Sequence, residues 1–378
     1  MKFNRFTSRR KTIQITITEA CNLKCIYCYE KDKDTRILPL EKIKEIFVES
    51  FLNSEGWDEL EFDFHGGEIA LAFTTLKEAC EWLWSQKWPK PYICFASTNG
   101  TLIHGNIQQW FLKNKCRFWL GLSLDGDHEM QNVNRSNSYE SIDLDFFKEC
   151  WPEQPVKMTI SPYSLLNLST GIKHIISLGF KYSANLAYGI YWDKKLLDQY
   201  HKELQEIAEF YLLHPDLEPP NLLNMSMLTV GLYDLEPDRR SERKKWCGSG
   251  EGMICYSCDG KKYPCQLFMP STSIQNGENI LDNLDFSKIK YFDDKDCTDC
   301  VIRYVCPVCY GHNYMSTGTL HQRPKDLCEF RKLEALAASY LQGKMILNYK
   351  KYKVTENLSD YERKLTARGI QLTQENLK

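Results

Sequence analysis

Cys21-Asn22-Leu23-Lys24-Cys25-Ile26-Tyr27-Cys28 packs three thiols into one eight-residue loop, and this stretch decides how the rest of the chain is read. It follows Thr12-Ile13-Gln14-Ile15-Thr16-Ile17-Thr18, an alternating β-branched run that predicts a strand. A structural zinc site closes its shell with four ligands, usually as two separated pairs. Here neither a fourth Cys nor a His lies nearby. Three thiolates on an iron–sulfur cubane leave one iron without a protein ligand, open to a substrate-like molecule. Three redox-active or zinc-binding thiols are the alternative.

Composition bounds the rest. The 378 residues, 43% hydrophobic and 26% charged, are those of an ordinary globular protein of two or three domains. A net charge of −2 leaves no electrostatic footprint for nucleic acid. The basic N-terminus, Met1 to Lys11, lacks the apolar stretch of a signal peptide, and no apolar run is long enough for a bilayer. Sixteen cysteines without a secretion signal predict metal clusters in a reducing cytoplasm. Cys80, Cys94, Cys116 and Cys150 are scattered and read as buried core. Nine more fall between Cys247 and Cys328.

The first half alternates strands and helices, the pattern of right-handed βα units around a parallel sheet. After the first strand, apolar runs at Leu60–Phe64, Tyr92–Ser97, Phe118–Leu124, Val156–Ser161 and Tyr182–Tyr188 predict strands two to six. Helical patterns such as Leu40–Phe51 and Leu76–Trp84 lie between them. A strand followed by C-x3-C-x2-C, with Tyr27 just before the last Cys, resembles the radical S-adenosylmethionine (radical SAM) superfamily. The resemblance implies an α/β fold: a partial (β/α)6 TIM-like barrel, then a small cysteine-rich SPASM domain with a β-hairpin and helices. Chemistry in such barrels sits at the C-terminal strand ends.

The strand ends carry further matches. His65-Gly66-Gly67-Glu68 resembles the family's Gly-Gly-Glu motif, which implies that Gly66, Gly67 and Glu68 meet the amino group of S-adenosylmethionine; read alone, Gly-Gly is a turn. Thr98-Asn99-Gly100 resembles the ribose-side contact, through Asn99. Ser123-Leu124-Asp125-Gly126 followed by Arg135 resembles the related maturases, which implies that Ser123 and Arg135 meet the cofactor's ribose and carboxylate. A guanidinium suits a carboxylate, although Arg135 could equally sit on the surface. Asn185-Leu186 falls where the family places an adenine contact. The resemblance assigns Cys21, Cys25 and Cys28 to a [4Fe–4S] cluster, with Tyr27 beside it.

In the second half, Cys247, Gly260 and Cys265 read C-x12-G-x4-C, and Cys297, Cys300, Cys306 and Cys309 read C-x2-C-x5-C-x2-C, with Cys328 after them. This resembles the SPASM extension and implies two auxiliary [4Fe–4S] clusters, three in all. Asp259-Gly260 is a hairpin-turn signal. The last pair is one residue shorter than the family's usual C-x3-C. The family's interleaving would give Cys247, Cys265 and Cys309 to one auxiliary cluster and Cys297, Cys300, Cys306 and Cys328 to the other. The fourth ligand of the first stays open: Cys255, Cys258, or none. A hairpin turning at Asp259-Gly260 is expected to face Cys255 away from Cys265. Paired C-x2-C units are zinc signatures too.

The resemblance implies reductive cleavage of S-adenosylmethionine, hydrogen-atom abstraction by a 5′-deoxyadenosyl radical, and passage of the remaining electron to an auxiliary cluster. The relatives include anaerobic sulfatase-maturating enzymes, which make formylglycine, and maturases that cross-link ribosomal peptides. Sulfatase maturases carry an Asp as base directly after the hairpin-closing Cys; here Gln266 follows Cys265, and an amide cannot serve as a base. That favours a thioether or C–C cross-link in a precursor peptide over formylglycine formation, though Asp259, Asp282 or Glu251 could supply a carboxylate. A small-molecule enzyme or a vestigial electron-transfer protein is a further reading.

The expected domains are a barrel over 1–195, a linker helix region over 196–240, the SPASM domain over 241–335 and a helical tail over 336–378. Only about ten residues precede the first strand, too few for a leader-binding winged helix. Leader recognition is then expected from a separate leader-binding protein, an exposed strand edge that captures the peptide by β-addition, or the C-terminal segment; the other expected partners are a precursor peptide and a flavodoxin- or ferredoxin-type electron donor, with no nucleic acid and no membrane.

Overall fold

In the computed structural model, the residues described are 9–223, 247–272, 280–286, 294–303 and 305–377. Six parallel strands follow in chain order: β1 (Arg10–Thr18), β2 (Glu59–Gly66), β3 (Tyr92–Thr98), β4 (Phe118–Leu122), β5 (Val156–Ile160) and β6 (Tyr182–Leu186). β1 to β4 are continuously paired, β5 pairs with β6, and a single bridge from Ser123 to Lys157 joins the two groups. Helices return between the strands, among them α1 (Leu40–Leu52), α2 (Phe73–Ser85), α3 (Gly105–Asn114), α4 (Leu168–Ser177) and α5 (Leu197–Leu213). This is the expected series of six βα units. The fourth and fifth strands each end one or two residues sooner than their apolar runs, because the chain there turns into the site.

The pleat explains the layering. Ile13, Ile15 and Ile17 of β1 alternate with Gln14, Thr16 and Thr18, so the two sets stand on opposite faces. The isoleucines join one core with Phe62 and Phe64 of β2 and Phe47 and Phe51 of α1, all 5% exposed or less. Phe47 meets Phe62 edge-on at 4.8 Å between ring centroids, and Phe51 stacks on Trp88 at 4.3 Å. The opposite face carries polar residues in register, Gln14 beside Asp63 and Thr16 beside His65. One pleat face makes the helix-covered core, and the other makes a polar interior.

The second half does not stand apart from this sheet. β7 (Met253–Tyr256) adds to the free edge of β1 in parallel, with Gln14 opposite Cys255, and turns back antiparallel as β8 (Lys262–Tyr263). The predicted hairpin thus extends the barrel sheet. Gly260 supplies the left-handed turn at φ +78°. The helix Asp326–Leu347 lies along α5, where Tyr200 donates to Glu334 at 2.8 Å and Arg331 holds the same carboxylate at 2.7 and 2.9 Å. That helix runs through position 335, at which the sequence suggested a domain boundary. The helix Asp360–Asn376 follows, capped by Ser359 and Glu362. Among the described residues, no helix is long and apolar enough to cross a membrane.

Candidate active site

The C-terminal ends of the strands surround a cavity of about 460 Å³. Cys21, Cys25 and Cys28 stand in its wall, partly exposed, on the loop after β1. Backbone bonds fix that loop: Cys28 N–H to Cys25 carbonyl at 3.1 Å, and Ile26 N–H to Asn134 carbonyl at 3.0 Å. Burial raises the Cys21 and Cys25 thiols, and the Arg135 guanidinium beside Cys25 opposes it. Among the described residues, no three His, Cys, Asp or Glu side chains converge as ligands of one metal ion would. A cubane spreads its thiolates over separate corners, and three cysteines on one wall suit that arrangement.

Gly66 and Gly67 line the cavity, and their lack of side chains has a local cause. Registry shifts between Thr16 and Thr18, a bulge at the strand end that folds the cysteine loop over β2. Gly67 N–H donates to Thr18 carbonyl at 3.0 Å and Glu68 N–H to Ala20 carbonyl at 2.9 Å. A Cβ on Gly66 would overlap the Thr18 carbonyl oxygen, and one on Gly67 the Ala20 and Glu19 oxygens.

Glu68 follows Gly67 at the end of β2. Its carboxylate does not face the cavity; it is 1% exposed and accepts from Thr98 Oγ1 at 2.7 Å, Asn99 N at 2.8 Å and Ala70 N at 3.1 Å. Those three donors brace it against the end of β3, and Oε2, which takes one of them, keeps a lone pair for a further donor. Asn99 lines the cavity, but its side chain is also committed: it donates to Asn22 at 2.9 Å and accepts from Thr101 at 2.7 and 3.0 Å. Ser123, Tyr27 and Leu186 all line the cavity, Leu186 at the end of β6 beside Asn185.

Arg135 is not on the surface. It is 8% exposed, lines the cavity, and lies over the Tyr27 ring with its carbon 5.4 Å from the centroid. Its holder is Asp125, a residue whose role the sequence did not reveal. Asp125 is fully buried and accepts from Arg135 Nε at 2.9 Å and Nη2 at 3.2 Å, Asn134 Nδ2 at 3.2 Å, Thr159 N at 2.9 Å and the Tyr27 hydroxyl. One carboxylate therefore ties the cysteine loop, β5 and the arginine together. The signal was present in Ser123-Leu124-Asp125-Gly126, but nothing in a linear string shows that five donors converge there.

Two cavity residues went unread. Glu30 and His65 face each other, Oε1 and Nε2 separated by 3.3 Å, and both line the cavity. Gln266, on which the sequence argument about a base turned, is not among the lining residues; its N–H donates to Gln14 Oε1 at 3.3 Å.

The later cysteines fall into two apolar clusters. Cys255 and Cys265 are buried in one, with Cys247 and Cys309 packed against it; Cys300 and Cys306 flank the other. Cys297, Cys306 and Cys328 lie within each other's electrostatic reach. Arg323 Nη1 donates to Cys306 Sγ at 2.7 Å. The expectation that Cys255 faces away from Cys265 is overturned. Cys255 pairs with Tyr263 in the hairpin, and Cys265 is buried in the same apolar cluster, within electrostatic reach of Cys255. Cys258 lies apart, its sulfur 3.4 Å from the Thr16 carbonyl.

No protein-family model matches the chain. It is 25% identical over 273 residues to the cysteine-type anaerobic sulfatase-maturating enzyme of Clostridium perfringens, covering 67% of this chain and 73% of that one. Over 125 residues it is 29% identical to the serine-type enzyme of Bacteroides thetaiotaomicron, 31% of this chain and 30% of that one. Native anSMEcpe with bound AdoMet and Kp18Cys peptide superposes with a TM-score of 0.68 at 18% identity, over 89% of this chain and 99% of that one. Streptococcus suis SuiB bound to precursor peptide SuiA gives 0.55 at 14% identity, over 84% and 76%. The fold is that of the radical SAM/SPASM maturases anSMEcpe and SuiB. Such an enzyme binds S-adenosylmethionine against a [4Fe–4S] cluster, and the cavity fits that pair. Three thiols share one wall, a buried guanidinium stands beside them, and the volume is that of a small-molecule site.

Proposed function

We propose that this radical SAM enzyme oxidises a residue of a peptide by two electrons, and that the product is a cross-link within a ribosomally made precursor. The observation that carries the reading is the cavity that joins the three-cysteine loop to Arg135 at the strand ends. Bound there, the cluster and S-adenosylmethionine supply a one-electron route to a carbon radical. The chain's own residues hold and orient. Arg135, kept in place by Asp125, suits the methionyl carboxylate; Gly66 and Gly67 offer backbone close to the ligand; Ser123, Asn99 and Leu186 line the nucleoside side. Cys247, Cys265 and Cys309, with Cys255 as the fourth thiol of that cluster, are proposed for one auxiliary [4Fe–4S] cluster. Cys297, Cys300, Cys306 and Cys328 are proposed for the other. The electron donor is a flavodoxin or ferredoxin, and the compartment is a reducing cytoplasm.

Gln266 favours the cross-link, since an amide cannot take a proton there. A second reading, sulfatase maturation, is favoured by the relatives, named as anaerobic sulfatase-maturating enzymes. Mass spectrometry separates the two. A cross-linked peptide encoded beside the gene loses two hydrogens per modification. A sulfatase-type Cys peptide converted to formylglycine loses two hydrogens and exchanges sulfur for oxygen. Turnover of the second peptide and not the first overturns the cross-linking assignment; turnover of neither removes both.

A further inference from the structure

We propose that Arg323 raises the reduction potential of the second auxiliary cluster above that of the first, by donating from its guanidinium to the cluster thiol Cys306. The inference rests on the assignment above of Cys297, Cys300, Cys306 and Cys328 to that cluster.

Those four cysteines come from separate turns, and the fold brings them within reach of one another. Cys297 senses Cys306 and Cys328, Cys306 senses Cys328, and Cys328 senses Cys300. Burial raises the Cys297, Cys306 and Cys328 thiols, so their thiolates need partners that share the charge. A cluster held by four thiolates fits such a site.

Arg323 is 9% exposed, and its Nη1 donates to Cys306 Sγ at 2.7 Å. It is the cation that opposes burial at Cys297 and the leading one at Cys306, while Asp294 works the other way at Cys297. The chain fixes its aim. Pro324 follows and keeps Arg323 out of the helical region. The Arg323 backbone N–H donates to Asp294 Oδ2 at 2.9 Å, and Asp294 Oδ1 caps the short turn Lys295–Cys297 by accepting from Asp296 N at 3.0 Å. One carboxylate therefore ties the arginine to the turn that carries Cys297.

The neighbouring cations are engaged elsewhere: Arg331 with Glu334, Lys325 with Asp296 and Lys332 with Glu329. The first auxiliary group is built differently. Burial and the other cysteines raise Cys255, Cys265 and Cys309, and hydrogen bonds from Thr16, Ser249 and backbone N–H groups oppose it. Among the described residues, no cation is prominent at those three thiols.

Reduction of a cluster adds one electron and one negative charge and moves no proton. A guanidinium bonded to a cluster sulfur stabilises the reduced form more than the oxidised one, and hydrogen bonds to sulfur and net charge are among the levers that set such potentials. The electron taken from the substrate then runs downhill from the first auxiliary cluster to the second.

The test is a potentiometric titration of the anaerobic, iron-loaded full chain, followed by EPR, with Cys297→Ala marking which signal belongs to the second cluster. Arg323→Met keeps the apolar stem and removes the charge and the donor. It is expected to shift the equilibrium of that cluster toward the oxidised form by about tenfold or more, which is about 59 mV or more downward for one electron. The other two midpoints stay in place, and Arg323→Lys, which keeps the charge, falls between Arg323→Met and the wild type. An unmoved midpoint in a variant that retains its iron overturns the proposal, as does a wild-type midpoint for the second cluster at or below that of the first. Loss of the second cluster from both variants would make Arg323 an assembly residue and overturn it too. Wild-type protein that binds iron for one cluster only, in place of the about twelve irons that three clusters need, refutes the auxiliary-cluster assignment and this proposal with it.

Discussion

Asp125 is the residue on which the site's architecture can be tested most directly. It is fully buried, and its two oxygens take five donors, two of them from the Arg135 guanidinium. Removing one member of a buried ion pair leaves the other as an uncompensated charge, which costs about 3–5 kcal/mol. Asp125→Asn keeps the shape and one acceptor oxygen, so it isolates the charge; its amide N–H2 would also face the donors of Tyr27 and Arg135. Against a total stability of about 5–15 kcal/mol, the loss is a large fraction of what holds the chain folded. Anaerobic thermal and urea unfolding of the cluster-loaded protein should show it, and S-adenosylmethionine affinity measured by equilibrium dialysis should fall with it. The double variant Asp125→Leu with Arg135→Met removes both charges and should recover part of the stability while leaving the affinity low. If Asp125→Asn unfolds within about 1 kcal/mol of the wild type, a typical value for an ordinary substitution, the carboxylate is not the tie described.

Gly67→Ala places a methyl group against the Ala20 and Glu19 carbonyl oxygens, so the cysteine loop must move; iron analysis should show loss of the first cluster with the auxiliary cysteines still loaded. Replacing Cys21, Cys25 and Cys28 together by Ala should remove about a third of the iron, as expected for one cluster of three, and abolish S-adenosylmethionine cleavage; zinc in the C-terminal half with a single iron cluster would contradict the auxiliary-cluster assignment. His65 gains a proton-stabilising partner on folding, so its contribution to stability is full below about pH 6.5 and fades as pH rises through its raised folded value; the difference in unfolding free energy between wild type and His65→Gln should shrink from pH 6 to pH 9, and a constant difference would argue against it. Gln266→Asp should leave S-adenosylmethionine cleavage intact, because Gln266 does not line the cavity; a large loss of cleavage would mean that this residue reaches the site.

The sequence by itself determined the parts whose signal is local. A β-branched alternation followed by a tight C-x3-C-x2-C loop fixes a strand and a cluster-binding turn, because side-chain periodicity and thiol spacing act over a few residues. The order of six strands, the hairpin turn at Gly260 and the cysteine content of the second half follow from the same short-range rules. What lay beyond reach depends on which atoms meet across the fold. The Glu68 carboxylate braces the end of β3 because three donors stand there. Asp125 became the centre of the site because Tyr27, Asn134, Arg135 and Thr159 converge on it from separate elements. β7 joined the edge of β1, and that pairing brought Cys255 to the side of Cys265. Glu30 and His65, 35 positions apart in the chain, met only because β1 and β2 pair in the register that sets Thr16 beside His65. Hydrogen-bond satisfaction and strand register are properties of the packed chain, and each follows from contacts between residues far apart in sequence.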